Sequence, residues 1–277
     1  MVSPQAFSFD RGAAHFDQRA GLPPRAIDQI AAEVVGLMPS KEGTCLDLGA
    51  GTGEIGAELG RRLPPGRYVG LDLSLPMLQV FRRRAPGLSR LRGDASLPWP
   101  IADASLDAIF VSRAAHLLRP EGFCREVKRT LSRGGLLLLG GVARDRVSIR
   151  SQLRRKLQEV LAAEGIDGRR RSASWRRLRE RLEAMGCRSR RLRIVSWPVA
   201  ERAIDSISSW RRKDGLAGRP VTGARQQRLL DQVEHWATAS FGDLATSHAA
   251  EETYELLVFN FVFPSMCPPD SSHKGEP

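Results

Sequence analysis

The stretch that decides the fold is Thr44–Gly56, TCLDLGAGTGEIG. A short apolar run carries one acid, Asp47, and then breaks into closely spaced glycines before a helical pattern begins. Glycines directly after a strand let the backbone turn sharply and approach a ligand without interference from a Cβ atom. The N-terminus of the following helix adds free N–H groups and the positive end of a dipole. The stretch therefore predicts a loop that binds a nucleotide-type cofactor.

This loop fits two templates. Gly51–Gly56 matches G-x-G-x-x-G, the dinucleotide fingerprint, and Asp72 lies 21 residues after Gly51, about where a ribose-binding acid is expected. That motif alone is a weak signal, and it keeps a dinucleotide oxidoreductase as an alternative. The second template, acid-x-Gly-x-Gly-x-Gly, includes the acid inside the strand and is met by Asp47, Gly49, Gly51 and Gly53.

With that acid included, LDLGAGTG resembles motif I of class I S-adenosylmethionine (SAM)-dependent methyltransferases. Four later stretches fall in the order and at the spacing of the same family: RYVGLDLS (67–74), LRGDAS (91–96), DAIFVSRAAHLL (107–118) and SRGGLLLLGGV (132–142). The resemblance is to the broad type 11 group, which includes quinone-biosynthesis C-methyltransferases. It covers Arg19 to Val142 well and the rest of the chain in outline.

The resemblance implies a SAM site and assigns roles within it. Asp72 would accept hydrogen bonds from both ribose hydroxyls, and Asp94 would contact the adenine amino group. Arg19, in an N-terminal segment that folds over the cofactor in many relatives, is a candidate for the SAM carboxylate. The cofactor-binding candidates are Asp47, Gly49, Ala50, Gly51, Gly53, Asp72, Leu73, Met77, Asp94, Ala95, Ser112 and Arg19. No metal ligand is predicted.

The acceptor side is predicted around the end of the fourth strand. A sulfonium methyl group is intrinsically electrophilic, so the enzyme mainly supplies alignment and exclusion of water. A general base is needed only where the acceptor must lose a proton. His116 is the candidate base by position, and a packing role for it stays open. Ser112 and Arg113 are further candidates on this side.

Strands and helices alternate from Thr44 to Val142, which predicts an α/β fold with a doubly wound parallel sheet and ligands at the carboxyl ends of its strands. A sixth strand is predicted at Arg190–Trp197, ended by Pro198, and a final strand at Thr253–Phe263. The resemblance makes this a seven-stranded, Rossmann-like sheet of the class I methyltransferase fold.

Helical patterns lie outside the sheet. They are predicted at Val147–Glu164, Glu201–Lys213 and Thr222–Phe241, and we interpret them as an Arg-rich helical lid over the substrate side. The chain is then expected to divide into an N-terminal segment with the SAM-binding core (1–143), the lid helices with the final two strands of the same sheet (144–263), and a disordered tail (264–277).

The formal net charge is +12, and residues 144–193 hold 17 basic and 6 acidic residues. Such a patch can mark nucleic acid, anionic lipid or an acidic substrate. Only 5 of the 43 basic residues are lysine, however, which favours an arginine-biased composition and a solvated basic face. We therefore expect a small or medium-sized acceptor, for which an anion would suit the arginines. An RNA methyltransferase and a non-catalytic SAM-binding regulator remain alternatives.

The four cysteines are far apart, with no C-x-x-C pair, so neither a zinc site nor a disulfide framework is predicted. Reduced thiols favour a cytoplasmic protein. No apolar run approaches the ~20 residues of a membrane span. The sequence leaves the acceptor atom and the oligomeric state open.

Overall fold

The computed structural model describes residue 10, residues 12–166 and residues 171–261. Within these ranges the strands are β1 (Cys45–Leu48), β2 (Tyr68–Asp72), β3 (Ser89–Arg92), β4 (Leu106–Ser112), β5 (Leu131–Arg144), β6 (Cys187–Glu201) and β7 (His248–Phe261). The α-helices are α1 (Phe16–Ala20), α2 (Pro24–Leu37), α3 (Gly56–Arg62), α4 (Leu75–Arg84), α5 (Pro120–Thr130), α6 (Ile149–Ala163), α7 (Arg171–Ala184), α8 (Ala203–Arg211) and α9 (Gly223–Phe241).

The strands form one sheet in the order β3-β2-β1-β4-β5-β7-β6. Strands β1 to β5 run parallel, and β7 runs antiparallel to both of its neighbours. The four residues of β1 are all buried, as expected for a parallel strand covered on both faces. The predicted seven-stranded, Rossmann-like α/β fold is confirmed.

Helices cover both faces of the sheet. On one face, Ile30 and Val34 of α2 pack with Leu59 of α3 in a core that also includes Tyr68 and Tyr254. On the other face, Phe123 of α5 packs with Leu178 and Leu182 of α7. Helix α7 therefore belongs to the helical layer that covers this face of the sheet.

Helices α6, α8 and α9 pack around an apolar cluster of their own. Leu153 and Leu157 of α6 meet Ile207 of α8 and Leu230 of α9 there, all nearly inaccessible to solvent. This three-helix unit combines the helices that the sequence assigned to a lid. The unit adjoins the end of β5, the end of β6 and the start of β7, which pair with one another at one edge of the sheet. We call these the far ends of the three strands, because β5 continues to Arg144, beyond Gly140, which pairs with the last residue of β4.

The sequence placed the end of the sixth strand wrongly. β6 does not end before Pro198 but runs on to Glu201, with Pro198 paired to Glu251 of β7. β6 is the edge strand of the sheet, and one side of an edge strand needs no backbone partner, so a proline without an N–H is tolerated there. β7 begins earlier than predicted, at His248, because it pairs with this extension. The predicted ending of β7 at Phe263 lies outside the described residues, as does the predicted tail.

Most of the basic residues that the structure describes in 144–193 are divided among α6, α7, β5 and β6, which pack against different parts of the molecule. Several of them are paired with carboxylates. Arg181 lies 3.2 Å from Glu121, and Arg191 lies 3.3 Å from Glu255. No helix in the described ranges is long and apolar enough to cross a membrane.

Candidate functional site

The glycine loop between β1 and α3 has the conformation that its sequence predicts. Gly53 adopts a φ of +73°, and a Cβ atom there would lie 2.1 Å from the ring of Phe81. Only glycine fits this position, both for its left-handed backbone and for its contact with α4. Gly49 and Ala50 donate their N–H groups to the carbonyl of Leu71 at 2.7 and 3.2 Å, which ties the start of the loop to β2.

Asp72 ends β2 directly beside this loop. Its carboxylate accepts from the N–H of Gly51 at 2.9 Å and from the N–H of Ser74 at 2.8 Å. Burial raises the pKa of Asp72, and these backbone hydrogen bonds oppose that rise. Because both donors are neutral, the charge of the carboxylate has no cationic partner in these contacts, and each oxygen keeps a lone pair for a further donor.

Two other cofactor candidates follow Asp72 in the chain. Leu73 is half-buried and lies between Asp72 and Ser74. Ser74 caps α4 by accepting from the N–H of Met77, and the Met77 side chain is buried. The structure therefore places Leu73 directly after Asp72 and joins Met77 to Ser74, whose N–H donates to the Asp72 carboxylate.

Asp47 lies inside β1 and is only 3% exposed. Its carboxylate accepts a hydrogen bond from the hydroxyl of Tyr68 at 2.8 Å. Burial raises the pKa of Asp47 to about 7, with a smaller contribution from the negative charge of Asp72, against the lowering effect of the Tyr68 hydrogen bond. Asp47 and Asp72 thus form a pair of interacting carboxylates on adjacent strands, served by neutral donors.

Asp94 follows β3 and is half-buried, with its carboxylate accepting from the N–H of Ser96 at 2.8 Å. The neighbouring Gly93 donates to the carbonyl of Asp72 at 3.0 Å, so the ends of β2 and β3 are joined. Ala95 lies half-buried beside it. The three predicted acids therefore lie in neighbouring strands of the sheet, with Asp72 and Asp94 at the carboxyl ends.

The end of β4 forms the other side of the site. Ser112 Oγ lies 2.7 Å from the hydroxyl of Tyr254, a fully buried residue of β7. A Cβ atom at Gly140 would lie 2.1 Å from that hydroxyl, so Gly140 of β5 is required to make room for it. His116 lies next, half-buried, in a 3₁₀ turn at Ala115–Leu117.

Arg113 directly follows Ser112 and points back across the glycine loop. Its guanidinium donates to the carbonyl of Ala20 and, at 2.9 Å, to Glu54 Oε2. Glu54 Oε1 in turn accepts from the N–H of Leu22 at 2.7 Å. Burial raises the pKa of Glu54, and the charge of Arg113 opposes that rise. Arg19 lies in α1 within the segment that these side chains hold, and its own side chain lies outside the described residues.

Sequence reasoning missed Tyr68, Tyr254 and Glu54. Tyr68 and Tyr254 belong to other strands than the residues they contact, and only the sheet register brings their hydroxyls to Asp47 and Ser112. Glu54 could have been noticed, because it adjoins the last glycine of the loop. Among the described residues, no group of three or more His, Cys, Asp or Glu side chains is placed to hold a metal ion. Cys45, Cys124 and Cys187 are free thiols in the core.

Comparisons with known proteins indicate the family of the glycine-loop domain. Residues 46–139 match the family model described as "Methyltransferase domain". The chain is 36% identical over 135 residues to a malonyl-[acyl-carrier protein] O-methyltransferase of Dechloromonas aromatica, covering 49% of this chain and 49% of that one. It is 35% identical over 105 residues to a demethylmenaquinone methyltransferase of Roseiflexus castenholzii, covering 36% and 44%. The chain thus spans about half the length of these curated relatives.

A solved structure supports the fold alone. The YcgJ protein of Bacillus subtilis superposes with a TM-score of 0.54 at 17% identity, over 85% of this chain and 97% of that chain. The glycine loop, the acids beside it and the domain match all fall within β1 to β5 of such a sheet. On these grounds the chain carries a methyltransferase domain at residues 46–139, in a sheet of the class I SAM-dependent methyltransferase fold.

Proposed function

We propose that this protein binds SAM across the glycine loop and transfers its methyl group by in-line displacement to a small or medium-sized acceptor. The observation that carries the proposal is the pair of carboxylates Asp47 and Asp72, which lie beside the loop with neutral hydrogen-bond donors. Buried negative charge without a cationic partner is costly, so such a site favours a cationic ligand. SAM supplies both positive charge, on its ammonium and sulfonium groups, and an electrophilic methyl group.

The residues around the loop are suited to hold the parts of SAM that the family implies. Gly49, Ala50, Gly51 and Gly53 would give the backbone surface, Asp72 would accept from the ribose hydroxyls, and Leu73, Met77, Asp94 and Ala95 would surround the adenine. Asp47 would contribute negative charge, and Arg19 would pair with the carboxylate of the amino-acid end. No metal takes part in this proposal.

The acceptor would approach from the end of β4. The hydroxyl of Tyr254 fixes the direction of the Ser112 side chain, which makes Ser112 a candidate for holding either the cofactor or the acceptor. His116 would remove a proton where the acceptor must lose one, and it would be dispensable for an acceptor that is already nucleophilic. The three-helix unit at the far ends of β5, β6 and β7 is proposed as the lid that keeps water from this side.

The acceptor is proposed only as a class of molecule. The names of the two relatives specify different acceptors, a malonyl-[acyl-carrier protein] and a demethylmenaquinone, and both classes belong in a screen. Arg146, Arg154 and Arg155 line one crease of the surface beside α6, which would suit an acceptor that carries negative charge. An RNA acceptor is the alternative use of these arginines.

Calorimetric titration tests the cofactor assignment. Wild-type protein is titrated with SAM, S-adenosylhomocysteine, NAD and NADP, and the titrations are repeated on Asp72→Ala. We expect micromolar binding of the first two and a loss of about 100-fold or more in the variant, because hydrogen bonds to a charged group contribute ~1.5–3 kcal/mol each. Binding of NAD instead would make the loop a dinucleotide site and overturn the proposal.

A matched control is Asp107→Ala. Asp107 also accepts a backbone hydrogen bond, from Thr44 at 2.8 Å, but it lies near the start of β4, at the opposite edge of the sheet. This variant should bind SAM like the wild type. The two rival functions give different results. An RNA methyltransferase would bind RNA with a steep salt dependence, and a non-catalytic regulator would bind SAM without methylating any acceptor in the screen.

A further inference from the structure

The segment that precedes α2 crosses the glycine loop and is fastened at several points. Asp10 accepts a hydrogen bond from Ser74 at the start of α4. Asp17 accepts from Thr52 Oγ1 at 2.6 Å and pairs with Arg84 at the end of α4. We call residues 12–22 the strap. The side-chain contacts of the strap reach the loop and the end of α4, and Asp10 just before the strap reaches the start of α4, so this segment lies over the region where the glycine loop and Asp72 meet.

The end of the strap is held in a different way, by its backbone. Arg113 donates to the carbonyl of Ala20, Glu54 accepts from the N–H of Leu22, and the two side chains pair with each other at 2.9 Å. The four groups close a ring around Gly21. A Cβ atom on Gly21 would lie 2.3 Å from the carbonyl oxygen of Asp17 and 2.8 Å from Glu54 Oε1, so the chain passes between these groups with no room for a side chain.

Arg113 adopts a strained backbone to reach this position. Its φ is +57°, a left-handed conformation that is unfavourable for a residue with a Cβ atom. The conformation is held by the N–H of Arg113, which donates to the carbonyl of Gly140 at 2.8 Å. Strain of this kind persists where the surroundings determine it and commonly marks a functional position. The guanidinium thus connects the end of β4, on the acceptor side, to the strap over the cofactor loop.

We propose that Glu54 and Arg113 are positioning residues that form a clasp on the strap, and that this clasp sets the rate at which S-adenosylhomocysteine leaves the site. The proposal rests on the proposed function, since it needs the cofactor to lie between the glycine loop and the strap. A ligand in that place can leave only when the ring around Gly21 opens. Opening breaks two hydrogen bonds that involve a charged group and separates an ion pair that is about one tenth exposed on the Glu54 side and one quarter on the Arg113 side.

The test is stopped-flow measurement of S-adenosylhomocysteine dissociation from the full chain, in the wild type, Glu54→Gln, Arg113→Gln and the double variant. Each single variant should release the product about 10-fold faster, the fold-change expected from one charge-assisted hydrogen bond. The double variant should release it no faster than the singles, because one ring is broken in each case. Arg113→Lys, which keeps the charge, should recover part of the slow release. Arg61→Gln, which breaks an exposed pair with Glu58 on α3, is the matched control and should leave the rate unchanged.

A second readout follows the strap without any ligand. Trypsin cleavage after Arg19 should be faster in the clasp variants than in the wild type, while far-ultraviolet circular dichroism shows that they remain folded. Faster cleavage with an unchanged rate of S-adenosylhomocysteine release would overturn the gating role. If neither the cleavage rate nor the release rate changes, the clasp itself is overturned. If the wild type binds no S-adenosylhomocysteine, the proposed function and the gating role both fail, and faster cleavage in the variants then shows that the clasp alone stands.

Discussion

Two regions of this molecule bury carboxylates in opposite ways. Beside the glycine loop, Asp47 and Asp72 accept hydrogen bonds from a tyrosine hydroxyl and from backbone N–H groups. At the junction of the sheet with the three-helix unit, Glu252 accepts from two arginines, Arg144 at 2.6 Å and Arg150 at 3.1 Å. The first region holds negative charge without a cation, and the second neutralises its own.

This difference separates a ligand site from a structural joint. A carboxylate with arginine partners is complete within the fold, and removing it leaves two partly buried arginines without their partner. A carboxylate with neutral partners raises the free energy of the folded state until a cation arrives, which is the arrangement expected where a protein reserves binding energy for a ligand. The two regions should therefore respond in opposite directions when their carboxylates are neutralised.

The largest effect is expected at Asp47. Its pKa of about 7 lies above the ordinary value of 3.8, so the folded state keeps a proton that the unfolded state has lost. The contribution of Asp47 to stability is therefore fully present below about pH 4, is lost as the pH rises toward 7 and changes no further above it, a loss of up to ~4 kcal/mol at 1.36 kcal/mol per unit. Asp47→Asn removes this titration, and urea unfolding should show the variant to be more stable than the wild type at pH 8.

The difference in unfolding free energy between the wild type and Asp47→Asn, measured against pH, reports on Asp47 and not on the other titrating groups. The amide introduced by Asp47→Asn can still accept from Tyr68, so the packing is kept while the charge is lost. Asp107→Asn, a change to a half-buried acid near the start of β4, serves as the control and should leave the pH dependence of unfolding unchanged. If Asp47→Asn unfolds with the same pH dependence as the wild type, folding does not raise the pKa of Asp47.

The opposite sign is expected at the joint. Glu252→Gln removes the charge shared by Arg144 and Arg150 and should destabilise the protein by about 2–3 kcal/mol, below the range for fully buried pairs because both arginines are partly exposed. Urea unfolding measures the loss, and the Kd for SAM should not change. Glu255→Gln is the matched control on the same strand, since its single partner in this pair, Arg191, is 59% exposed and the pair should contribute less than about 0.5 kcal/mol. Equal losses in the two variants would remove the contrast between the regions.

The same two regions differ in how far the sequence predicted them. From Thr44 to Val142, strands and helices alternate as predicted, because the glycine loop and the alternation of apolar runs are local signals. The predicted acid Asp72 ends β2 as expected, and Asp94 follows the end of β3 by two residues. The contacts of Tyr68 and Tyr254 in the site were not predicted, because their hydroxyls reach it only through the register of the strands.

Beyond Val142 the error at β6 came from tertiary context. Pro198 is a local signal for the end of a strand, but its position on the sheet edge overrides that signal. The excess of arginine in 144–193 is also a local signal, and it carries no information on which of these arginines pair with glutamates of other elements. Sequence separation between partners, as between Arg144 and Glu252, is what hid these contacts.

The smallest effect is expected on the pH dependence of SAM binding. It tests whether the carboxylates with neutral partners bind the cationic ligand. A cationic ligand beside Asp47 favours its ionised form and lowers its pKa from about 7, so binding below pH 7 must release a proton. Raising the pH from 6 to 8 should therefore tighten SAM binding about 10-fold, or ~1.4 kcal/mol. Calorimetry in two buffers of different ionisation enthalpy measures the released proton directly. Asp47→Asn should bind SAM more weakly at pH 8 and lose this dependence, and Glu252→Gln should keep it. Proton release that persists in Asp47→Asn would mean that another group, such as Asp72, carries the negative charge that the ligand completes.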